Sequence, residues 1–411
     1  MGKVREFAER LWSGAVSTEV MNPVTTTMGF EAIEEGLGFI SGFANVTALD
    51  TSEGLVLIDT GSFLTGIMVH QQLRSWSQRP LHTAIFTHGH VDHVFGVQHF
   101  ERDPIQAAHG PARVVAHEAV AARFERYKMT AGYNTAINAR QFRLPGIAWP
   151  TQFRAPDLTY RDRLALEIGG EALELNHARG ETDDHTWVWV PGRRLLCTGD
   201  LFIWAVPNCG NPQKVQRYPL EWAAALRRME ALGAETLLPG HGPPIFGSDR
   251  VRQALGDTAE LLESICAQTL EMMNAGAALI DILHAVEAPA ALLDKPYLRP
   301  IYDEPQFIVR NLWRLYGGWY EGNPAHLTPA HDRAIAAEIA ALAGGAEALI
   351  ARAEALAEAG DLPLACHLAQ LAGDAGADPA IRARRSAIYA ARAAAEPSLM
   401  ARGIFADAAE G

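Results

Sequence analysis

Residues 84–96 read Ala-Ile-Phe-Thr-His-Gly-His-Val-Asp-His-Val-Phe-Gly, an apolar run that ends abruptly in four potential metal ligands, His88, His90, Asp92 and His93. Ala84, Ile85 and Phe86 have the shortness and the β-branched or aromatic character of a buried strand, and a Gly-containing turn closes it. His88 and His90 stand two apart, so an extended turn points both to one side, toward one cation. Asp92 and His93 follow where a helix starts, with Asp favoured in a first turn, and they aim at a neighbouring point. Such a cluster suits two cations a few ångströms apart, as two-metal hydrolases require. A solvated polar turn has no need of three His and one Asp within six residues at the end of a strand.

The stretch resembles the H-x-H-x-D-H signature of the metallo-β-lactamase superfamily. That resemblance implies an α/β fold, the αββα sandwich, and a site completed by ligands from three later strand ends. Upstream, residues 38–60 alternate and turn like two strands, Phe39 to Leu49 and Leu55 to Ile58, joined by a Thr-Ser-Glu-Gly turn. The second ends in Asp59-Thr60-Gly61. The superfamily commonly has such an Asp there, and the resemblance gives Asp59 the part of supporting the metal turn rather than binding metal. From the residues alone, a β-turn Asp reads equally well. A helix near 63–76 leads to the strand at 83–87, and Val114 to His117 reads as a further strand followed by a helix at 118–127.

Farther on, a strand at 172–176 runs into His177-Ala-Arg-Gly180-Glu181-Thr-Asp-Asp-His185. Most of the superfamily has a histidine ligand after this glycine, and this chain has Glu181. Either Glu181 is a carboxylate ligand, which is ordinary for Zn²⁺, or His177 or His185 supplies a nitrogen. Strands at 187–190 and 195–198 follow, ending in Gly199-Asp200, where the family has its bridging carboxylate. A last strand, 236–238, ends in Pro239-Gly240-His241-Gly242, matching the family's final His ligand. The resemblance thus implies two Zn²⁺ per chain. One is held by His88, His90 and Glu181, the other by Asp92, His93 and His241, with Asp200 bridging. A metal-bound hydroxide with a pKa of about 7 is the expected nucleophile, with Asp92 and His185 as catalytic residues.

Glu181 with Asp200 and His241 is similar to the alkylsulfatase branch, and the downstream sequence strengthens the likeness. Tyr297-Leu298-Arg299-Pro300 and the run from Val309 to Ala325, closing in Gly-Asn-Pro-Ala, resemble the alkylsulfatase-type dimerisation domain. Trp313, Tyr316, Trp319 and Tyr320 read there as scaffold. Two features depart from the pattern. The family has an Arg-Gly-Ala stretch after the bridging acid that helps hold sulfate, and this chain reads Val206 to Tyr218 without an Arg at that place, although Lys214 and Arg217 lie close. The 411 residues also do not include the sterol-carrier-like domain of full-length relatives. Both features lead us to expect a compact organic ester rather than a detergent-type sulfate. Tyr133, Asn134, Asn208, Asn211, Lys214, Arg217 and His185 are the candidate substrate-orienting or leaving-group residues. Tyr133 and Asn134 lie in a polar insertion that reads either as a lid or as an exposed loop.

A net charge of −13 argues against a nucleic-acid backbone or an anionic membrane as partner. The N-terminus has no apolar signal core, and Cys197, Cys209, Cys266 and Cys366 show no C-x-x-C spacing. The expected compartment is the cytoplasm. Strands give way to helices near Gly247-Ser248-Asp249, so the expected domains are 1–248, catalytic, and 249–411, an all-α region that pairs two chains into a homodimer. Within it, Gly344-Gly345, Gly360 and Asp378-Pro379 divide an Ala-rich stretch into four helices that resemble tetratricopeptide-type hairpins. Three functions remain in view. They are sulfate-ester hydrolysis, hydrolysis of a lactone, carboxylic ester or amide on the same metals, and a non-hydrolytic protein with structural or redox metals.

Overall fold

The computed structural model describes residues 2–376 and 378–411. Two sheets form the frame. The first holds β1 (Gly29–Glu34), β2 (Leu37–Ser41), β3 (Val46–Thr51), β4 (Gly54–Ile58), β5 (Leu81–Ile85), β6 (Arg113–His117) and β7 (Leu158–Tyr160), in that order. The second holds β8 (Arg163–Ile168), β9 (Glu171–His177), β10 (Thr186–Val190), β11 (Leu195–Ile203), β12 (Thr236–His241) and β13 (Ile245–Phe246), also in sequential order. β4 to β7 pair in parallel, as do β11 and β12.

The strands are apolar on both faces because both faces are covered. In β4, Leu55 and Leu57 join the outer core beneath the helices, while Val56 and Ile58 join the core between the sheets. β10 alternates likewise, Trp187 and Trp189 outward, Val188 and Val190 inward. Helices Gly66–Trp76 and Ala119–Met129 cover the first sheet, and Pro219–Glu230 with Ser248–Asn274 cover the second, giving the expected αββα layering.

The chain divides into two compact units, Met1–Gly132 with Trp149–Gly318, and Tyr133–Ala148 with Trp319–Gly411. The expected boundary at 248/249 is where strands give way to helix, but the packing runs on. Val251, Leu255 and Leu262 of the long helix share one core with Trp222 and Leu226, and so stay with the sheets. In the second unit, helices Asp332–Ala343, Ala346–Glu358, Leu362–Ala375, Pro379–Ala395 and Leu399–Glu410 pack through small side chains, Ala353, Ala365, Ala369 and Ala372 among them. Their ends follow the sequence signals: Gly344 takes φ +90°, and the Asp361 and Asp378 carboxylates accept backbone N–H groups at 3.2 and 2.8 Å. Among the described residues, no single helix is long and apolar enough to cross a membrane.

Residues 3–12, which carry no apolar signal core, form a helix whose Val4, Phe7 and Leu11 are buried. Two local expectations change. The strand expected from Phe39 to Leu49 is broken at residues 42–45, where the Asn45 side chain accepts from Gly42 N–H at 3.2 Å. The insertion at 133–140 is part of a helix, Ala131–Phe142, not a loop.

The break at 42–45 serves the site. Asn45 donates from Nδ2 to the carbonyls of Pro239 (2.9 Å) and Gly242 (2.8 Å), clasping the turn that carries His241. Asn45→Ala strands two buried acceptors, and we expect it to lower unfolding free energy by about 2–4 kcal/mol in urea titrations. An unchanged midpoint would show that the clasp is not holding the turn.

Candidate metal centre

Strand ends from both sheets deliver the candidate ligands to one edge. Among the described residues, the potential ligand atoms of His88, His90, Glu181 and Asp200 lie within 4.8 Å of one another, and so do those of Asp92, His93 and His241. Asp200 stands between the two groups. Its Oδ2 is 3.7 Å from His88 Nε2 and 3.2 Å from His241 Nε2, and its Oδ1 is 3.4 Å from His93 Nε2. Glu181 Oε2 is 3.8 Å from His88 Nε2 and 3.5 Å from His90 Nδ1, and Asp92 Oδ2 is 3.6 Å from both His93 Nε2 and His241 Nε2.

Supporting hydrogen bonds fix which ring nitrogen faces the centre. His93 Nδ1–H donates to Asp59 Oδ2 at 2.7 Å, and His241 Nδ1–H donates to the Phe43 carbonyl, so each turns Nε2 inward. Asp59, at φ +59°, also accepts from Thr87 N–H and Thr87 Oγ1–H, both at 2.8 Å, which braces the start of the metal turn. The residues fit a pair of cations. His93 Nε2, Glu181 Oε2 and Asp200 Oδ1 are buried polar atoms without a hydrogen-bond partner, and His88 Nε2 and His90 Nδ1 lie together at hydrogen-bonding distance, 2.8 Å.

The electrostatics point the same way. Burial disfavours charge on His93, yet Asp200, Asp59 and Asp92 outweigh it and hold the imidazole well above its usual value. Burial likewise works against the Asp200 carboxylate, but His241, His93 and His88 keep it well below the usual range. Burial pushes the Glu181 carboxyl up against the pull of Arg217, and Asp200 adds to the rise. Crowded carboxylates of this kind are relieved by bound cations.

His177 and His185 fall outside both groups. His177 Nδ1–H donates to the His185 carbonyl at 2.9 Å, and its ring stacks on His117 at 3.7 Å. His185, expected as a catalytic or leaving-group residue, is buried behind the centre. Its ring stacks on His88, and its Nε2 accepts the Asp200 backbone N–H at 3.0 Å. That bond occupies Nε2, the other ring nitrogen, Nδ1, is buried without a hydrogen-bond partner, and burial drops the pKa of the ring to about 3. Asn208 Nδ2 donates to Glu181 Oε1 at 3.3 Å, and Arg217 Nη1 contacts the same oxygen. Asn211 Oδ1 accepts from Gln213 N–H at 3.0 Å, closing a local turn. Tyr133, exposed, and Asn134, buried, belong to the helical unit.

Two residues that sequence reasoning passed over also bear on the site. Tyr302 is buried, and burial together with Asp92, Asp200 and Glu181 raises its phenol well above the usual range, so it keeps its proton. Arg123 is 2% exposed, with Nε on Asp184 Oδ2 at 2.8 Å, and that same oxygen accepts Gly89 N–H of the metal turn at 3.0 Å. Neither sits in a local pattern. His90 and Asp92, with side chains 17% and 21% exposed, mark the open side.

Two sheets packed face to face under helices, with ligands at one edge, are the architecture of a metallo-β-lactamase fold. Residues 41–241 match the metallo-β-lactamase superfamily model and residues 278–411 match the alkyl sulfatase dimerisation model, the pairing of the superfamily's alkylsulfatase-like branch. A linear primary-alkylsulfatase of Pseudomonas sp. (strain ATCC 19151) is 28% identical over 324 residues, covering 74% of this chain and 61% of the relative. An (R)-specific secondary-alkylsulfatase of Pseudomonas sp. is 26% identical over 356 residues, covering 79% and 53%. The structure of the stereoselective inverting sec-alkylsulfatase Pisa1 from Pseudomonas sp. superposes with a TM-score of 0.80 at 24% identity, over 92% of this chain and 64% of that one, a likeness of fold. The chain therefore spans little more than half the length of these relatives.

For Glu181→Ala we expect elemental analysis to show one metal equivalent lost, whereas His177→Ala keeps its full complement; the reverse pattern would mean the third ligand is misassigned. Asp59→Asn replaces an acceptor of His93 N–H with an amide. Chelator competition should show metal affinity weakened about 10–100-fold with the fold intact.

Proposed function

We propose that the chain is a binuclear zinc-dependent hydrolase of a sulfate monoester. The observation that carries this reading is Asp200, whose carboxylate lies within 3.7 Å of ring nitrogens from both candidate ligand groups at once, with Oδ2 between His88 and His241 and Oδ1 beside His93. The likeness to alkylsulfatases supports the choice of bond. His88, His90, Glu181 and Asp200 would hold one cation, and Asp92, His93, His241 and Asp200 the other. Bound there, a cation pair supplies Lewis acidity and a water acidic enough to attack near neutral pH. Three carboxylate ligands leave two divalent cations with a residual positive charge, which favours an anionic substrate.

The chain's own groups do the remaining work. Asp92, on the open side, is placed to orient the attacking water and take its proton. Tyr302 keeps its proton at neutral pH and faces the same carboxylates, as a donor toward a substrate or leaving-group oxygen. Tyr127 and Trp149 stand edge to face at 5.3 Å beside His90, an apolar wall for the organic part of the ester. His185 acts through Asp200, by holding its backbone.

A second reading, hydrolysis of a lactone, carboxylic ester or amide at the same centre, is favoured by the absence of an Arg at the family's sulfate position and by the commitment of Arg217 to Glu181. The dimerisation-type region supports assembly as a homodimer, and the wide spacing of the free, buried cysteines supports a cytoplasmic setting.

Zinc-loaded protein should contain close to two metals per chain and turn over aryl and short alkyl sulfates faster than lactones or carboxylic esters, in kcat/KM. A saturating value of one metal would remove the binuclear reading, and the opposite substrate order would select the second one. Light scattering should give about twice the 44.6 kDa chain mass, and a monomer at micromolar concentration would count against the assembly alone.

A further inference from the structure

Two cations follow the bridging carboxylate in sequence, Lys214 and Arg217, and their surroundings differ. Arg217 is 1% exposed. Its Nη1 contacts both the backbone carbonyl and Oε1 of Glu181. Its backbone is held from both sides by Asn311, whose Oδ1 accepts Arg217 N–H and whose Nδ2 donates to Arg217 O, each at 3.1 Å. With Oε1 taken, Oε2 is the Glu181 oxygen left to face His88 and His90. Nη1 of this guanidinium is committed to Glu181, and Nε, although without a hydrogen-bond partner, is buried away from solvent.

Lys214 is half-buried, with its ammonium 5.7 Å from the centroid of the Trp149 ring. Trp149 packs on Tyr127, and Tyr127 faces the His90 ring at 6.4 Å, so this contact chain leads to the open side of the centre. Asp92, Glu181 and Arg217 are the charged groups that act on the Lys214 amine, and Arg314 approaches its carbonyl from the neighbouring helix, Pro305–Tyr316.

We infer a division of labour in which Arg217 positions the Glu181 ligand without meeting substrate, and Lys214 is the cation that takes the tetrahedral anionic group of the ester. The inference rests on the anionic-ester reading above. An ammonium is a point charge on a flexible stem and matches sulfate oxygens less rigidly than a guanidinium fork, so affinity here depends on that single charge. Burial and Arg217 bring the Lys214 amine down to about 8, so the charge is present below that pH and lost as pH rises through it.

The test uses the full chain loaded with zinc, inorganic sulfate as probe in calorimetry, and chelator competition for zinc affinity. Lys214→Met should weaken sulfate binding about ten- to a hundredfold and leave both zinc affinities unchanged. Arg217→Met strands a buried carboxylate and threatens the fold, so Arg217→Lys carries the second arm. It should weaken one of the two zinc sites about tenfold or more, while sulfate affinity of the fully loaded protein holds. Wild-type sulfate affinity should fall as pH rises through about 8, and that of Lys214→Arg should not. Equal sulfate affinity in wild type and Lys214→Met overturns the assignment, as does Arg217→Lys losing sulfate while keeping both zincs. If sulfate binds through Lys214 but no ester is turned over, the hydrolase reading fails and this one stands.

Discussion

The Asp200 carboxylate is the constraint on which the sheet edge depends. It must reach two groups of ligands from one strand, and the backbone around it is shaped to let it. A side chain at Gly240 would place a Cβ 2.0 Å from Asp200 Oδ1, so only glycine leaves room beside that oxygen. Gly199, at φ +50°, packs where a Cβ would meet His185 and Thr87 within 3 Å. The parallel pairing of β11 and β12 slips in register at these residues, between Cys197 and Gly199 and again before Ile203, which is how two strand ends open toward a metal site while the rest stays paired.

Around that carboxylate, the rings are turned by hydrogen bonds from outside the centre. Asp59 comes from the end of β4 and Phe43 from the break between β2 and β3, while Asp184 with Arg123, from the segment after β9 and the helix 119–129, holds the backbone of the metal turn at Gly89. Each draws on a different part of the sandwich, so the layers must be packed before the ligands can point correctly. The helical continuation contributes as well. Asn311 and Tyr302 lie beyond the last strand, yet they fix the Arg217 loop and face the carboxylates, so the first unit needs the chain as far as residue 318.

That arrangement explains what was legible in the sequence. The turn at 88–93 could be read because four ligands sit in one contiguous strand-end turn, where residue type and spacing report directly on chemistry. Asp200 and His241 were reachable because each closes an apolar run, and the helix breaks at Gly344, Asp361 and Asp378 because caps are local. Asn45, Arg123 and Tyr302 were not legible, since their roles exist only through partners tens to hundreds of residues away. The same holds for His185: its spacing suits a ligand, and only the Asp200 N–H shows that its Nε2 is already engaged. The compact units were hidden for a related reason. The helix that begins at Ser248 looks like a new domain by composition, but Val251 and Leu255 bury against Trp222.

A carboxylate at 181, the candidate third ligand, in place of a neutral imidazole has a consequence of its own. A carboxylate 1% exposed beside Asp200 is unstable as an ion unless a cation stands near it when metal is absent, and Arg217 is that cation. A histidine there would need no such partner, and a buried arginine beside it would be the liability. Glu181 and Arg217 are therefore one unit of charge balance, placed on two loops and held in register by Asn208 and Asn311. Because that unit consumes the guanidinium, the loop from Asn208 to Arg217 has one other cation with which to meet an anion, Lys214. On the proposed reading, the carboxylate at 181 and the charge offered to substrate are thus coupled through a single buried ion pair.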